Sequence, residues 1–219
     1  MRELTFGKRM PKSGRVRRIV VFVHGYGADG RDLLGLADPL APHLPDTLFV
    51  APDAPEPCSG NGFGFQWFPI PWLDGSSPAA AEAGLVRAAD DLNGFLDARL
   101  ADAGLGPQAL ALIGFSQGAM ISLHVAPRRA QAVAGVVAIS GRLLAPERLI
   151  ADTVVRPPVL LIHGDADPVV PFADMALAGE ALTGAGFETY GHVMQGTGHG
   201  IAPDGLQVAL SFLAERLPD

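Results

Sequence analysis

Ser116 lies midway between two glycines, in Gly114-Phe115-Ser116-Gln117-Gly118. An apolar run, Ala109-Leu110-Ala111-Leu112-Ile113, precedes this pentapeptide, and a helix-compatible stretch from Ala119 to about Arg129 follows it. A G-x-S-x-G match is common by chance. Strand, then G-x-S-x-G, then helix is the setting of a nucleophile elbow, in which a serine on a sharp, strained turn meets a substrate carbonyl. Glycines two positions to either side omit the Cβ atoms that would collide with the crossing backbone. The helix that starts there aims its N-terminal amides at the place where an oxyanion develops.

An elbow of this kind predicts an acid and then a histidine further along the chain, each on a loop after a strand. Pro158-Val159-Leu160-Leu161-Ile162 has the composition of a strand and runs into His163-Gly164-Asp165-Ala166-Asp167-Pro168-Val169-Val170-Pro171. Asp165 and Asp167 are both candidates for the acid. A later strand candidate, Thr189 to Met194, leads to Gly196-Thr197-Gly198-His199-Gly200. Three hits in the expected order point to acyl transfer. A serine hydroxyl is a poor nucleophile until a base takes its proton. An imidazole can do so at neutral pH and return the proton to the leaving group, while a carboxylate holds its tautomer. This chemistry requires no metal and no organic cofactor.

The surrounding pattern must position these residues. Strands are expected at Arg17 to Val23, Thr47 to Ala51, Ala109 to Ile113, Val133 to Ile139, Pro158 to Ile162 and Thr189 to Met194, with Arg2 to Gly7 as an antiparallel edge. Helices are expected at Asp32 to His43, Ala79 to Ala103, Gln117 to Arg129, Phe172 to Ala185 and Pro203 to Leu217. In the longest of these, Leu85, Ala88, Ala89, Leu92, Phe95, Leu96 and Leu100 recur at helical spacing and form one buried stripe. Alternating strands and helices predict an α/β fold with a mostly parallel, twisted sheet covered by helices on both faces. No repeat and no linker divides the chain, so residues 1–219 are expected to form one domain.

Pro52 to Pro78 breaks the alternation. It carries Phe63, Phe65, Trp67, Phe68 and Trp72, five of the fifteen aromatic residues of the chain. A loop of this length with this aromatic density is either pinned to the core by its own rings or forms one wall of an apolar substrate pocket. Val169 and Ile201, beside the candidate acid and base, could line the same pocket or pack in the core. His24 and His163 each end a strand before glycine and are expected to be structural. Cys58 is expected to be an ordinary loop cysteine.

A literal G-x-G-x-x-G lies at Gly25-Tyr26-Gly27-Ala28-Asp29-Gly30, after a strand, with Asp46 or Asp53 about 20 to 30 residues on, as in a dinucleotide-binding loop. That reading leaves Ser116 and the downstream Asp and His unexplained. A glycine loop opening with His24-Gly25 instead suits a backbone amide turned toward an oxyanion. A hydrolase fold used only for binding is a further alternative, and an intact Ser, Asp and His set argues against it.

The net charge of −7 and pI near 5.3 disfavour nucleic acid or an anionic membrane as the main partner. Lys8 to Arg18 concentrates six of the sixteen Lys and Arg residues and is expected to be a solvated hairpin loop. A single cysteine allows no internal disulfide and suits a reducing compartment. No signal-like apolar opening and no membrane-length apolar run occurs. A cytoplasmic protein without stable membrane insertion is therefore expected.

The pentapeptide around Ser116, the segment His163 to Pro171 and Gly198-His199 together resemble the phospholipase/carboxylesterase family of α/β-hydrolases, which includes the acyl-protein thioesterases. His24-Gly25-Tyr26-Gly27 with Asp29-Gly30 resembles the oxyanion loop of that family, and the likeness runs over nearly the whole chain. The resemblance implies an α/β-hydrolase fold without a lid domain. It implies Ser116 as nucleophile, Asp167, which precedes Pro168, as acid, His199 as base, and the amides of Tyr26 and Gln117 as oxyanion donors. It further implies a small-molecule ester substrate with a short to medium acyl chain, with a lysophospholipid or an acylated protein as alternatives, and a homodimer. Two positions depart from the pattern: Ala119, where the thioesterases usually have Gly, and Gly200, where they usually have Glu.

Overall fold

The computed structural model describes residues 2–59 and 62–217; Gly60 and Asn61 of the aromatic loop lie outside the described residues. The chain opens with strand β1 (Phe6–Arg9) and strand β2 (Arg18–Val23), followed by helices α1 (Gly30–Leu34) and α2 (Ala37–Leu40) and strand β3 (Thr47–Pro52). A two-residue hairpin, β4 (Glu56–Pro57) and β5 (Phe65–Gln66), precedes α3 (Pro71–Asp74) and the long α4 (Pro78–Ala103). The remaining elements are β6 (Leu110–Phe115), α5 (Gln117–Val125), β7 (Gly135–Ile139), α6 (Leu149–Asp152), β8 (Val159–Gly164), α7 (Ala173–Gly184), β9 (Thr189–Met194) and α8 (Pro203–Arg216).

Seven strands form the main sheet in the order β1-β3-β2-β6-β7-β8-β9. β1 runs antiparallel to β3, with Phe6 opposite Pro52, and the other pairings are parallel. β2, β7 and β8 are buried at every position, as their unbroken apolar runs require of strands covered on both faces. Alternate residues feed two cores. Val21, Leu112, Val136 and Leu161 meet Leu92, Leu96, Ile121 and Leu182 of α4, α5 and α7. Val20, Phe22, Ile113 and Leu160 meet Leu33, Leu40, Phe212 and Leu213 of α1, α2 and α8 on the other face.

The expected elements recur with shifted ends. The edge strand lies at Phe6–Arg9 instead of starting at Arg2. The helix expected over Asp32 to His43 splits at Gly35-Leu36 into α1 and α2; Pro39, inside α2, has no amide to donate to the Gly35 carbonyl four residues earlier. α5 stops at Val125 and continues as a 3₁₀ turn over Ala126–Arg128, because Pro127 brings no amide donor. Among the described residues no helix is long and apolar enough to cross a membrane.

Candidate active site

β6 is the central strand of the sheet and delivers Ser116 at its C-terminal end. The serine has φ 53° and ψ −117°, a left-sided conformation that a non-glycine residue adopts only when its surroundings impose it. The flanking glycines make the imposition possible. A Cβ on Gly118 would overlap the carbonyls of Val23 and His24, and one on Gly114 would overlap the backbone of Gly118 and Ala119. The elbow is therefore pressed directly onto the end of β2, the strand that leads into the His24-Gly25 loop.

β8 and β9 bring the partners. His199 Nε2 lies 3.0 Å from Ser116 Oγ, and His199 Nδ1 lies 2.7 Å from Asp167 Oδ2. With Asp167 ionised, Nδ1 carries the proton it donates and Nε2 is left to accept from the serine. The amides of Val169 and Val170 donate to Asp167 Oδ1 at 2.8 and 3.0 Å. Burial pushes the Asp167 carboxyl up, but hydrogen bonds from His199, Val169 and Val170 outweigh it and hold the group below its ordinary value. The His199 ring also packs on Phe115, with centroids 4.9 Å apart. Asp165, the rival carboxylate, points elsewhere and accepts from the Gly196 amide at 2.6 Å, tying the two loops together.

The two strand-end histidines fix the loops around this centre. His24 is fully buried; its Nδ1 lies 2.7 Å from the Gly25 carbonyl and its Nε2 accepts from the Ala54 amide at 2.9 Å. Burial lowers its pKa despite the opposing Gly25 hydrogen bond and nearby carboxylates, so the ring stays neutral and able to accept. His163 Nε2 donates to the Val170 carbonyl at 3.0 Å and lies 3.3 Å from Asp167 Oδ2. It therefore braces the turn whose amides hold the carboxylate.

The side chain of Gln117 has a function that the sequence pattern does not reveal. It is fully buried; its Oε1 accepts from the Trp67 amide at 2.9 Å and its Nε2 donates to the Phe68 carbonyl at 2.7 Å. The Trp67 indole in turn donates to the His24 carbonyl at 3.0 Å, and the backbone of Phe65 pairs with Gly27 and Ala28. The aromatic loop, the glycine loop and the elbow are thus one hydrogen-bonded unit.

A cavity of about 200 Å³ opens beside Ser116 and His199, with Tyr26, Asp32, Leu33 and Phe115 among its walls. The seven residues expected to line a pocket lie elsewhere. Trp67 and Phe68 are buried in the core, which corrects the pocket reading for these two; their apolar area is worth more there than beside a wet cleft. Phe65 packs against the same core, and Ile201 packs against the other one. Phe63, Trp72 and Val169 are exposed, Trp72 lying under the Arg142 guanidinium at 5.3 Å. Tyr26, one of the two expected oxyanion donors, lines the cavity, and Gln117, the other, is the first residue of α5, directly after the serine. Asp32 and Leu33, one helical turn past the glycine loop, carried no sequence signal for the site.

The sequence pattern of the Phospholipase/Carboxylesterase family matches residues 10–217. Esterase YpfH of Escherichia coli K12 is 30% identical over 203 residues, covering 92% of this chain and 84% of that protein. Acyl-protein thioesterase 1 of Neurospora crassa is 28% identical over 225 residues, covering 95% of this chain and 91% of that one. Among solved structures, esterase PE8 is 44% identical, with a TM-score of 0.92 over 98% of this chain and 100% of the other. Acyl-protein thioesterase 2 of Zea mays superposes with a TM-score of 0.78 at 25% identity, covering 98% of this chain and 99% of that one. With the central parallel sheet, the two helical layers and the elbow after the middle strand, this chain belongs to the phospholipase/carboxylesterase family of α/β-hydrolases.

Proposed function

We propose that the chain is a serine carboxylesterase that hydrolyses esters with short acyl groups through an acyl-serine intermediate, and that residues 1–219 form one catalytic domain. The observation that carries this reading is the continuous relay from Asp167 Oδ2 through His199 to Ser116 Oγ, at 2.7 and 3.0 Å, on a strained elbow.

His199 Nε2 takes the Ser116 proton as Oγ attacks the carbonyl carbon. The tetrahedral oxyanion is met by the amides of Tyr26 and Gln117, the donors expected for this family; loss of one such donor typically costs about 2.7–4 kcal/mol. Collapse expels the alcohol, which receives the proton from His199. A water molecule, deprotonated by the same nitrogen, then attacks the acyl-serine, and collapse returns the proton to Oγ and releases the acid. Asp167 holds Nδ1 protonated and stabilises the imidazolium in both halves.

A cavity of about 200 Å³ is below the roughly 300–1,000 Å³ of sites that enclose drug-sized ligands, and favours a short acyl group. The thioesterase relatives motivate a second reading, hydrolysis of an acylated protein, in which a long chain would have to lie outside this cavity. The single cysteine and the acidic balance support work in the cytoplasm on a substrate other than nucleic acid.

Incubation with a fluorophosphonate, followed by peptide mapping, tests the nucleophile, with Ser116→Ala and heat-denatured protein as controls. One adduct on Ser116, absent from both controls, is expected; its absence from folded protein would move a non-catalytic binding role to the front. A p-nitrophenyl ester series should then show kcat/KM falling beyond short acyl chains, and a maximum at long chains would favour the acyl-protein reading.

A further inference from the structure

Among the residues lining the cavity beside Ser116, Asp32 is the one with a fixed charge; no lysine or arginine lines it. Its carboxylate belongs to a group of three around the entrance to α1. Asp29 caps that helix, accepting from the amides of Arg31 and Asp32 at 2.8 and 3.3 Å. Asp53 accepts from the Gly30 amide at 2.9 Å and from the Thr5 hydroxyl at 2.8 Å. Neutral donors meet the oxygens of Asp29 and Asp53, and among the described residues no Lys or Arg forms an ion pair with any of the three carboxylates. The fields of all three reach the buried His24 ring, which forms part of the same cavity. The Arg142 guanidinium is held by Asp174 at 2.7 Å and lies over Trp72, so its charge is already matched.

A substrate carbonyl presented to Ser116 therefore brings its substituents beside the exposed Asp32 carboxylate at the cavity wall, in a negative field that is strongest at low salt. We propose that Asp32 sets the charge preference of the enzyme, favouring esters and thioesters whose leaving group is cationic, then neutral ones, and disfavouring those that carry a carboxylate or phosphate near the scissile bond. This inference rests on the esterase reading and names the substrate class for that same site. It places the anionic lysophospholipids among the poorer substrates.

Three thioacetates of similar size test it: acetylthiocholine, its uncharged isostere S-(3,3-dimethylbutyl) thioacetate, and S-acetyl-3-mercaptopropionate. The expected kcat/KM order is cationic, neutral, anionic, with a spread of about tenfold or more between the extremes at low salt. The spread should collapse in Asp32→Asn, and should shrink in wild type near 1 M salt, where the screening length is about 3 Å. A flat series in wild type, or a spread that survives Asp32→Asn, would overturn the inference while leaving the esterase reading intact. Failure to turn over even the neutral thioester, together with no phosphonate adduct on Ser116, would remove both.

Discussion

The buried carboxamide of Gln117 is bonded to the backbone of Trp67, 50 residues earlier, with Oε1 2.9 Å from the Trp67 amide nitrogen. One residue therefore serves two purposes. Its amide follows the serine at the start of α5, and its side chain anchors the aromatic loop that in turn holds the His24 carbonyl through the Trp67 indole. Shape at the elbow and shape at the glycine loop are coupled through this side chain.

Gln117→Ala should leave the Trp67 amide and the Phe68 carbonyl buried without partners. A stability loss of about 1–3 kcal/mol for each uncompensated group is expected, read from urea unfolding midpoints at constant m. The kcat for a short p-nitrophenyl ester should fall as well, since the glycine loop loses its support. Unchanged midpoints would mean that water replaces the carboxamide.

Gly118→Ala should be among the most damaging single substitutions in the chain, because the added methyl overlaps the Val23 carbonyl. Overpacking typically costs about 1–3 kcal/mol, and more where backbone must move. Gly200→Glu is the contrasting case: a Cβ there meets no atom within 4 Å. Its melting temperature should match wild type within the effect of about 0.5 kcal/mol typical of surface changes. Similar losses in both variants would contradict the packing described for the elbow.

Much of this centre is legible in the primary structure. Ser116 and Asp167 follow short apolar runs that mark buried strands, His199 follows the more polar Thr189–Met194, and the chain order of the three constrains their roles. Family likeness alone separates Asp167 from Asp165 in the sequence, and the geometry separates the two by their partners, His199 and Gly196. The aromatic loop was legible as an exception and no further. It has no period, so its composition could not say that Trp67 faces inward while Trp72, five residues on, faces solvent. Asp32 has no sequence signature, because a wall residue contributed by a neighbouring helix leaves no local pattern.

His163 is a positioning residue for Asp167. His163→Phe removes the donor to Val170 and the polar edge beside Asp167 Oδ2, and kcat should fall while KM for a neutral ester changes little. Loss of a buried hydrogen bond of about 1–3 kcal/mol corresponds to roughly 5- to 150-fold in rate. His163→Gln, which can still donate, should recover part of it. Equal damage in both variants, with KM rising in step, would indicate a purely structural role.

The fold should be acid-labile. Burial, reinforced by Arg128 and Arg148 and opposed by Asp152, takes His124 from its ordinary 6.5 down to about 4, and its Nδ1 has no hydrogen-bond partner among the described residues. Between pH 6.5 and about 4 the unfolded chain binds a proton that the native one does not, so stability falls as pH falls through that window. Asp167, also lowered in the fold, adds a loss in the same direction below the ordinary carboxylate range. Melting temperatures taken from pH 7 to 4.5 should decline, by about 2–4 °C for each kcal/mol lost in a chain of this size. His124→Leu should flatten the decline, and an unaltered slope would place the lability elsewhere.

The three loops that carry Ser116, Asp167 and His199 do not hang from equally secure supports. Ser116 ends β6, buried between two neighbours at the centre of the sheet, whereas His199 follows β9, a half-exposed strand bonded on one side only. Local opening begins at edges, where few contacts must be broken. The relay should therefore be severed from the histidine side, by a fraying that leaves Ser116 on its turn and most of the sheet intact. A warmed enzyme would fall silent before it unfolds, and cooling would restore it with no need to refold the core.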